Sequence, residues 1–365
     1  MNRLTMRKFL AMCLCAMLSN VALCQIVSLN ATEIKTLKLQ LKTETSYKEI
    51  YNEFERTTAS YLNDVPNPID TILSEGLLQG HPKKVKTIRA LKDMDKMFSL
   101  ALQYRLSGEK RYLNKSLEFL LAWANKNRGN GNPINDTKID KAVEAYDLIK
   151  KDIPTESKKS IENWLSETAW AEINSKRMNS GRGSAINNWN AHRLKVVGEI
   201  GYALGNQKLI DWTIAHLKTH IAINLNADGT SLDFKQRDAM HYHIYDLEPM
   251  LKLAIMIDRA KGPDFYSYES PKGASIKKSV EWLLPYIKGE KQHEEYVHTT
   301  VAFDRARAKN NEAGFAPGTM FKPMLALPVL QLSVYFDQSQ KDLLAGLQQY
   351  ENVERIINRI KAKQE

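Results

Sequence analysis

The chain has 365 residues, a formal charge of +10 and a mean hydropathy of -0.43. That length allows one large domain or two ordinary ones, and the hydropathy is that of a soluble protein. All three cysteines, Cys13, Cys15 and Cys24, fall in the first 24 residues, so the remainder has no disulfide, thiolate nucleophile or cysteine metal ligand.

Arg3, Arg7 and Lys8 precede a mostly apolar run over residues 9–24. Ala22 and Cys24 occupy the -3 and -1 positions of a cleavage before Gln25. This pattern reads as a secretory signal peptide, residues 1–24, and it is too short and interrupted for a membrane span. A lipoprotein anchor on Cys24 is the lesser alternative. The expected location is therefore periplasmic or secreted, in a bacterium. Removing three basic residues takes the charge from +10 to +7. A basic exported protein suits an anionic polysaccharide better than nucleic acid. The basic residues are spread out, which is also what plain solvated surface looks like.

Residues 25–41 are mixed and predict a short extended arm. Helical spacing begins at residues 47–62 and is broken by Pro66 and Pro68. Residues 70–80 predict a short helix. Residues 82–104 carry Val85, Ile88, Leu91, Met94, Met97, Phe98 and Ala101 at helical spacing. Further helices are predicted over 112–125, 139–149, 157–173, 186–204 and 207–223. The segment 237–259 is predicted mostly helical, with Pro249 as a kink. Helices over 275–287, 321–336 and 341–360 follow, with a long polar loop over 289–318. Few stretches alternate cleanly enough for strands. No dinucleotide, phosphate-loop or zinc-protease motif occurs. The expected fold is all-α, a single domain over residues 25–365. Its helix pairs form either a solenoid or a closed α/α toroid, and the absence of a legible repeat disfavours the solenoid.

Three clusters could carry chemistry. The first is Asn187-Asn188-Trp189-Asn190-Ala191-His192-Arg193. Asparagines opening a helix can simply cap it, but they also offer neutral donors to an anion, with Trp189 as a sugar platform. The second is residues 228–249, which pack Lys235, Gln236, Arg237, Asp238, His241, Tyr242, His243 and Tyr245 together. If helical throughout, Asp238, His241 and Tyr245 share a face, and Arg237 pairs with His241. The third is His298 with Phe303-Asp304-Arg305-Ala306-Arg307, whose arginines could grip carboxylates. A metal on His241, His243, His298 and Asp238 fits no specific spacing. Carboxylate pairs of glycosidase type, Asp233 with Asp238 or Glu248, are available but not singled out.

Together these stretches resemble the alginate lyase superfamily of polysaccharide lyases. The similarity runs over roughly residues 100–335. It is carried by Tyr112-Leu113 through Ala122-Trp123-Ala124, Asn132-Pro133-Ile134-Asn135, Ala145-Tyr146-Asp147-Leu148, Asn187-Asn188, Lys235-Gln236-Arg237, Tyr242-His243-Ile244-Tyr245 and Phe303-Asp304-Arg305-Ala306-Arg307. The resemblance implies an α/α toroid and β-elimination at a 1,4-linked uronate of alginate or glucuronan. It places the family's catalytic tyrosine at Tyr245 and its asparagine at Asn188. The histidine that follows that asparagine in the family is Trp189 in this chain, with His192 one turn away. The family arginine falls on Asp238, next to Arg237.

Elimination needs the uronate carboxylate neutralised, the C5 proton removed and the leaving O4 protonated. The implied roles are neutralisation by Asn188 with Arg237 or His192, and O4 protonation by Tyr245. The base is Tyr245 if proton and leaving group lie on one side, or His192 for the opposite stereochemistry. Arg237 and His241 would supply the positive charge a tyrosinate needs. Asn187, Trp189, Arg193, Lys235, Gln236, His241, His243, Arg305 and Arg307 are expected substrate contacts. No cofactor or metal is required. A glycoside hydrolase on a similar scaffold and a non-catalytic glycan-binding protein are the competing readings.

Overall fold

The computed structural model describes residues 25–179, 181–347 and 350–362. The signal peptide expected over residues 1–24 lies outside them.

The arm expected after the leader is a helix, α1 (Ala31–Thr43). Its start is a capping box. The Asn30 side chain accepts from Glu33 N at 3.0 Å, and the Glu33 carboxylate accepts from Asn30 N at 2.7 Å. α2 (Thr45–Ser60) follows. Residues 70–80 form turns rather than the expected short helix. Next come α3 (Pro82–Ser107), α4 (Lys110–Lys126), α5 (Asp140–Ile149), α6 (Thr155–Ile173), α7 (Asn188–Leu204) and α8 (Gln207–Asn224).

The segment expected as one helix from residue 237 is two, α9 (Leu232–Arg237) and α10 (Met240–Arg259). Asp238 separates them in the left-handed conformation, φ 49°. Its carbonyl accepts from Tyr296 N at 2.6 Å and its carboxylate from His298 N at 2.8 Å. Contacts formed across some sixty residues therefore hold the break. α11 (Ile276–Ile287) matches expectation. The long polar loop contains β1 (Glu294–Glu295), paired antiparallel with β2 (Thr319–Met320), and α12 (Ala302–Lys309). The C-terminal region holds α13 (Leu327–Ser333), and then two helices rather than one, α14 (Lys341–Leu347) and α15 (Val353–Lys361).

α3 packs on α4 and α5, α4 on α6, α6 on α7, α7 on α8 and α10, and α10 on α13. α15 returns to α1. The result is the expected α/α toroid of paired helices. Gly198 permits the close approach of α7 to α10 and α8, because a Cβ there would lie 2.6 Å from Leu253 and 2.8 Å from Thr213.

The inner helices carry polar stripes where a bundle helix would ordinarily be apolar. α10 turns His241, Tyr245, Glu248, Lys252 and Arg259 toward the central cavities at three- and four-residue spacing. α7 does the same with Asn188, His192, Lys195 and Glu199. Among the described residues, no helix is long and apolar enough to cross a membrane.

Candidate active site

Two cavities meet inside the ring. The first, about 400 Å³, is lined by Trp189, Asn188, Arg237, His241, Tyr242, Arg307 and Phe315, among others. The second, about 310 Å³, is lined by His192, Lys195, Asp140, Glu248 and Lys252, among others. Tyr245, Lys138 and Leu91 line both.

Tyr245 is held at this junction by α10. Pro249 sits one turn further on and has no N–H, so the Tyr245 carbonyl loses its usual helical donor. The start of α10 is capped from afar. The buried Glu295 carboxylate accepts from Met240 N at 3.0 Å and His241 N at 3.2 Å. Burial raises this carboxyl to about 7, against the lowering effect of those two bonds.

His192 packs on Tyr245, with ring centroids 4.3 Å apart. Its Nδ1 lies 3.3 Å from Thr137 Oγ1, and its Nε2 is buried with no partner among the described residues. Burial, then the nearby Lys195, Lys138 and Lys252, hold its pKa well below the usual histidine value. The ring is neutral at neutral pH. Burial likewise drives the Tyr245 phenol well above its usual pKa. Both groups start uncharged. His241 does not supply a positive charge, because burial and the arginines Arg307 and Arg237 lower it to about 4.

Asn188 is fixed by Asp233, which is fully buried. The Asp233 carboxylate accepts from Asn188 N at 2.7 Å and also from the Asn188 side-chain amide. One amide hydrogen of Asn188 is left for the cavity. This binding role removes Asp233 from any glycosidase pair. Arg237 reaches the first cavity from the end of α9. It donates to buried Asp304 at 2.6 Å and lies over the Tyr242 ring, 3.8 Å from its centre. Arg307 donates to the Tyr242 hydroxyl at 2.6 Å, and that hydroxyl donates to Asp304 at 3.3 Å.

The sequence-predicted residues therefore divide. Asn188, Trp189, Arg237, His241, Tyr245 and Arg307 share the first cavity, and His192 joins Tyr245 in the second. The others are placed elsewhere. Asn187 caps α7, its side chain accepting from Trp189 N at 3.1 Å. Arg193 is buried away from both cavities, bound to Asn190 at 3.0 Å and 5.2 Å from the centre of the Trp212 ring. His243 is fully buried between Ser231 and the Ser279 carbonyl, against Trp282, so it neither orients Tyr245 nor meets sugar. Lys235 pairs with Asp228 on the surface. Gln236 offers its carbonyl to Thr300, and exposed Arg305 donates to the Thr299 carbonyl. Asp238 lies off the α10 face, so it shares no helical stripe with Tyr245, and Arg237 and His241 meet across a break rather than along one helix. Among the described residues, no three His, Cys, Asp or Glu side chains are grouped to hold a metal ion.

Sequence reasoning missed Lys138, Lys195, Lys252, Thr137 and Glu295. Each is an ordinary residue in its own segment and gains meaning only from elements that meet it in space.

The site is thus an all-α ring whose two cavities carry several lysines and arginines, with an uncharged tyrosine–histidine pair between them. The chain belongs to the alginate lyase family, whose profile matches residues 38–293. It is a polysaccharide lyase. Its fold is similar to that of an alginate lyase from Bacteroides ovatus, with a TM-score of 0.70 at 17% identity, covering 92% of this chain and 98% of that one. It is also similar to alginate lyase A1-III from Sphingomonas species A1, with a TM-score of 0.63 at 16% identity, covering 95% and 98%. A histidine-to-alanine variant of A1-III complexed with a tetrasaccharide gives a TM-score of 0.62 at 15% identity, covering 94% and 96%. Nothing among curated protein sequences matches the chain.

Proposed function

We propose that this lyase cleaves a 1,4-linked polyuronate of alginate or glucuronan type by β-elimination, leaving an unsaturated uronate at the new end. The observation that carries the reading is the His192–Tyr245 ring contact at the junction of two cavities.

In this scheme, Asn188 and Arg237 draw the C6 carboxylate into the first cavity and stabilise charge developing on it. The neutral His192 Nε2 takes the C5 proton. The C5–H electrons form the C4–C5 double bond, the C4–O4 bond breaks, and Tyr245 protonates O4. The imidazolium then returns its proton to the adjacent tyrosinate, which restores both groups. Tyr245 as the base is disfavoured by magnitude. Ionising even an ordinary tyrosine at neutral pH costs about 4 kcal/mol, and burial adds to that.

Because the two rings pack on each other, they address the sugar from one side. In this scheme a His192 base serves elimination from one side, where the sequence alone matches it to the opposite stereochemistry. H5 and O4 share a face in β-mannuronate and glucuronate, and lie on opposite faces in guluronate. The preferred substrates are therefore polymannuronate or glucuronan. The histidine-to-alanine and tyrosine-to-phenylalanine variants of A1-III, each complexed with a tetrasaccharide, involve the same two residue types. The enzyme acts outside the cytoplasm, as the leader and the cysteine-free remainder suggest.

The test is ultraviolet absorbance of the conjugated product while polymannuronate, polyguluronate, glucuronan and glycosaminoglycans are offered in turn. Depolymerisation without an absorbing product would sink the elimination, and polyguluronate as the best substrate would sink the one-sided geometry.

A further inference from the structure

Lys138 stands on the wall of both cavities, opposite no acid of its own. It lies between the short Pro133–Asp136 turn and α5, and it is partly buried. Among the described residues it makes no ion pair or hydrogen bond. The charged groups around it are Asp140 at the start of α5, Lys195 from α7, and Glu248 and Lys252 from α10. The two acids are already engaged. Asp140 binds Lys195 at 3.1 Å and lies 3.8 Å from Lys252. Glu248 binds Lys252 at 2.9 Å. Lys195 also lies 3.6 Å from Glu199.

Lys138 is thus a desolvated cation beside two further cations whose counter-charges are spent. Burial and the Lys195 and Lys252 charges lower its pKa. Such an arrangement is unfavourable in the empty protein and is relieved by an anion. The walls it shares with Tyr245 are where a polyuronate would pass. Arg237 and Asn188 lie only on the first-cavity side.

Building on the polyuronate reading, we propose that Lys138 binds the carboxylate of the sugar next to the scissile bond on the second-cavity side. It is a specificity-determining contact rather than a group in the proton transfers. It would make a negatively charged neighbour obligatory, so that a uronate flanked by a neutral sugar would be a poor substrate.

Lys138→Met and Lys138→Arg test this against the polyuronate that the wild-type enzyme cleaves best. Loss of one charge-assisted contact should raise KM roughly ten- to a hundredfold in Lys138→Met, with kcat within about threefold. Lys138→Arg should recover most of the affinity. The melting temperature of Lys138→Met should equal or exceed that of the wild type, because an unpaired buried cation has been removed. An unchanged KM, a collapse of kcat at constant KM, or a lowered melting temperature would each overturn the proposal.

Calorimetric titration with saturated oligomannuronate and oligoglucuronate separates this from the lyase reading. If the wild type binds them but forms no unsaturated product, elimination fails while Lys138→Met still decides the carboxylate contact. Equal affinity in wild type and Lys138→Met refutes the contact whatever the chemistry.

Discussion

Tyr242 and Tyr245 lie three residues apart on α10, and removing one oxygen from each should give opposite results. The Tyr245 hydroxyl makes no hydrogen bond among the described residues, and Tyr245 lines both cavities. Tyr245→Phe therefore leaves no buried partner stranded and should hold its melting temperature within about 1 °C. Its loss falls on O4 protonation. A positioned general acid contributes about 10²–10⁴-fold, so kcat should drop by that factor, about 3–5 kcal/mol of barrier. The Tyr242 hydroxyl instead takes a hydrogen bond from Arg307 and gives one to Asp304, which is 1% exposed. Deleting it strips one donor from a buried carboxylate and one acceptor from an arginine. That should cost about 1–3 kcal/mol, or roughly 1–4 °C in a protein of this size. Asp304 keeps Arg237 at 2.6 Å and Thr299 at 3.0 Å, so Tyr242→Phe should still turn over within about tenfold of wild type. Initial rates by product absorbance and thermal unfolding of the same preparations check both arms. If Tyr245→Phe keeps more than about a tenth of kcat, or if the two profiles are exchanged, the proton-transfer assignment is wrong.

Other outcomes follow from the same geometry. His192 is depressed below the usual histidine pKa and Tyr245 raised above the usual tyrosine pKa. The kcat/KM profile should therefore be flat between about pH 6.5 and pH 10, and a bell centred near neutrality would contradict the pair. Asp233→Ala removes both anchors of Asn188 and should lower kcat at least tenfold while costing about 3 kcal/mol of stability. Wild-type melting with intact turnover would show that Asn188 needs no anchor. Glu295 is raised to about 7 in the fold by burial. The folded state thus keeps a proton that the unfolded chain releases, and this group's contribution to stability falls as pH rises from about 4.5 to about 7. Glu295→Gln lacks that loss. The melting temperature of the wild type should fall relative to that of Glu295→Gln from about pH 5 to about pH 8, and a relative rise would refute the raised pKa.

The helical spacing of residues 82–104 foretold α3, because its apolar stripe is local information. The Asn30 and Glu33 pair was equally local, and its capping-box spacing was the signal that could have turned the expected arm into α1. Other features had no such signal. The break at Asp238 depends on Tyr296 and His298, which no local pattern brings near it. His243 looked functional because it sits between Tyr242 and Tyr245. Helical residues two apart diverge by about 200°, however, and that turn sends His243 into the core while Tyr245 meets the cleft. Lys138 is one lysine among many until α5, α7 and α10 surround it.

The departure from the family pattern at Trp189 acquires a physical consequence from α7. A histidine directly after Asn188 would stand where Trp189 now lines the first cavity. His192 is three residues further along, about 4.5 Å up the helix axis, and lines the second cavity beside Tyr245. Relative to the family order, the imidazole stands one turn further along α7, in contact with Tyr245 at the junction of the two cavities. In the proposed scheme a group there reaches both the C5 proton and Tyr245, which suits it to proton transfer. Trp189 leaves an apolar face in the vacated position, suited to the ring of a sugar rather than its charge. A Trp189→His, His192→Gln double substitution would restore the family order of residues without restoring function, because the histidine would no longer touch Tyr245.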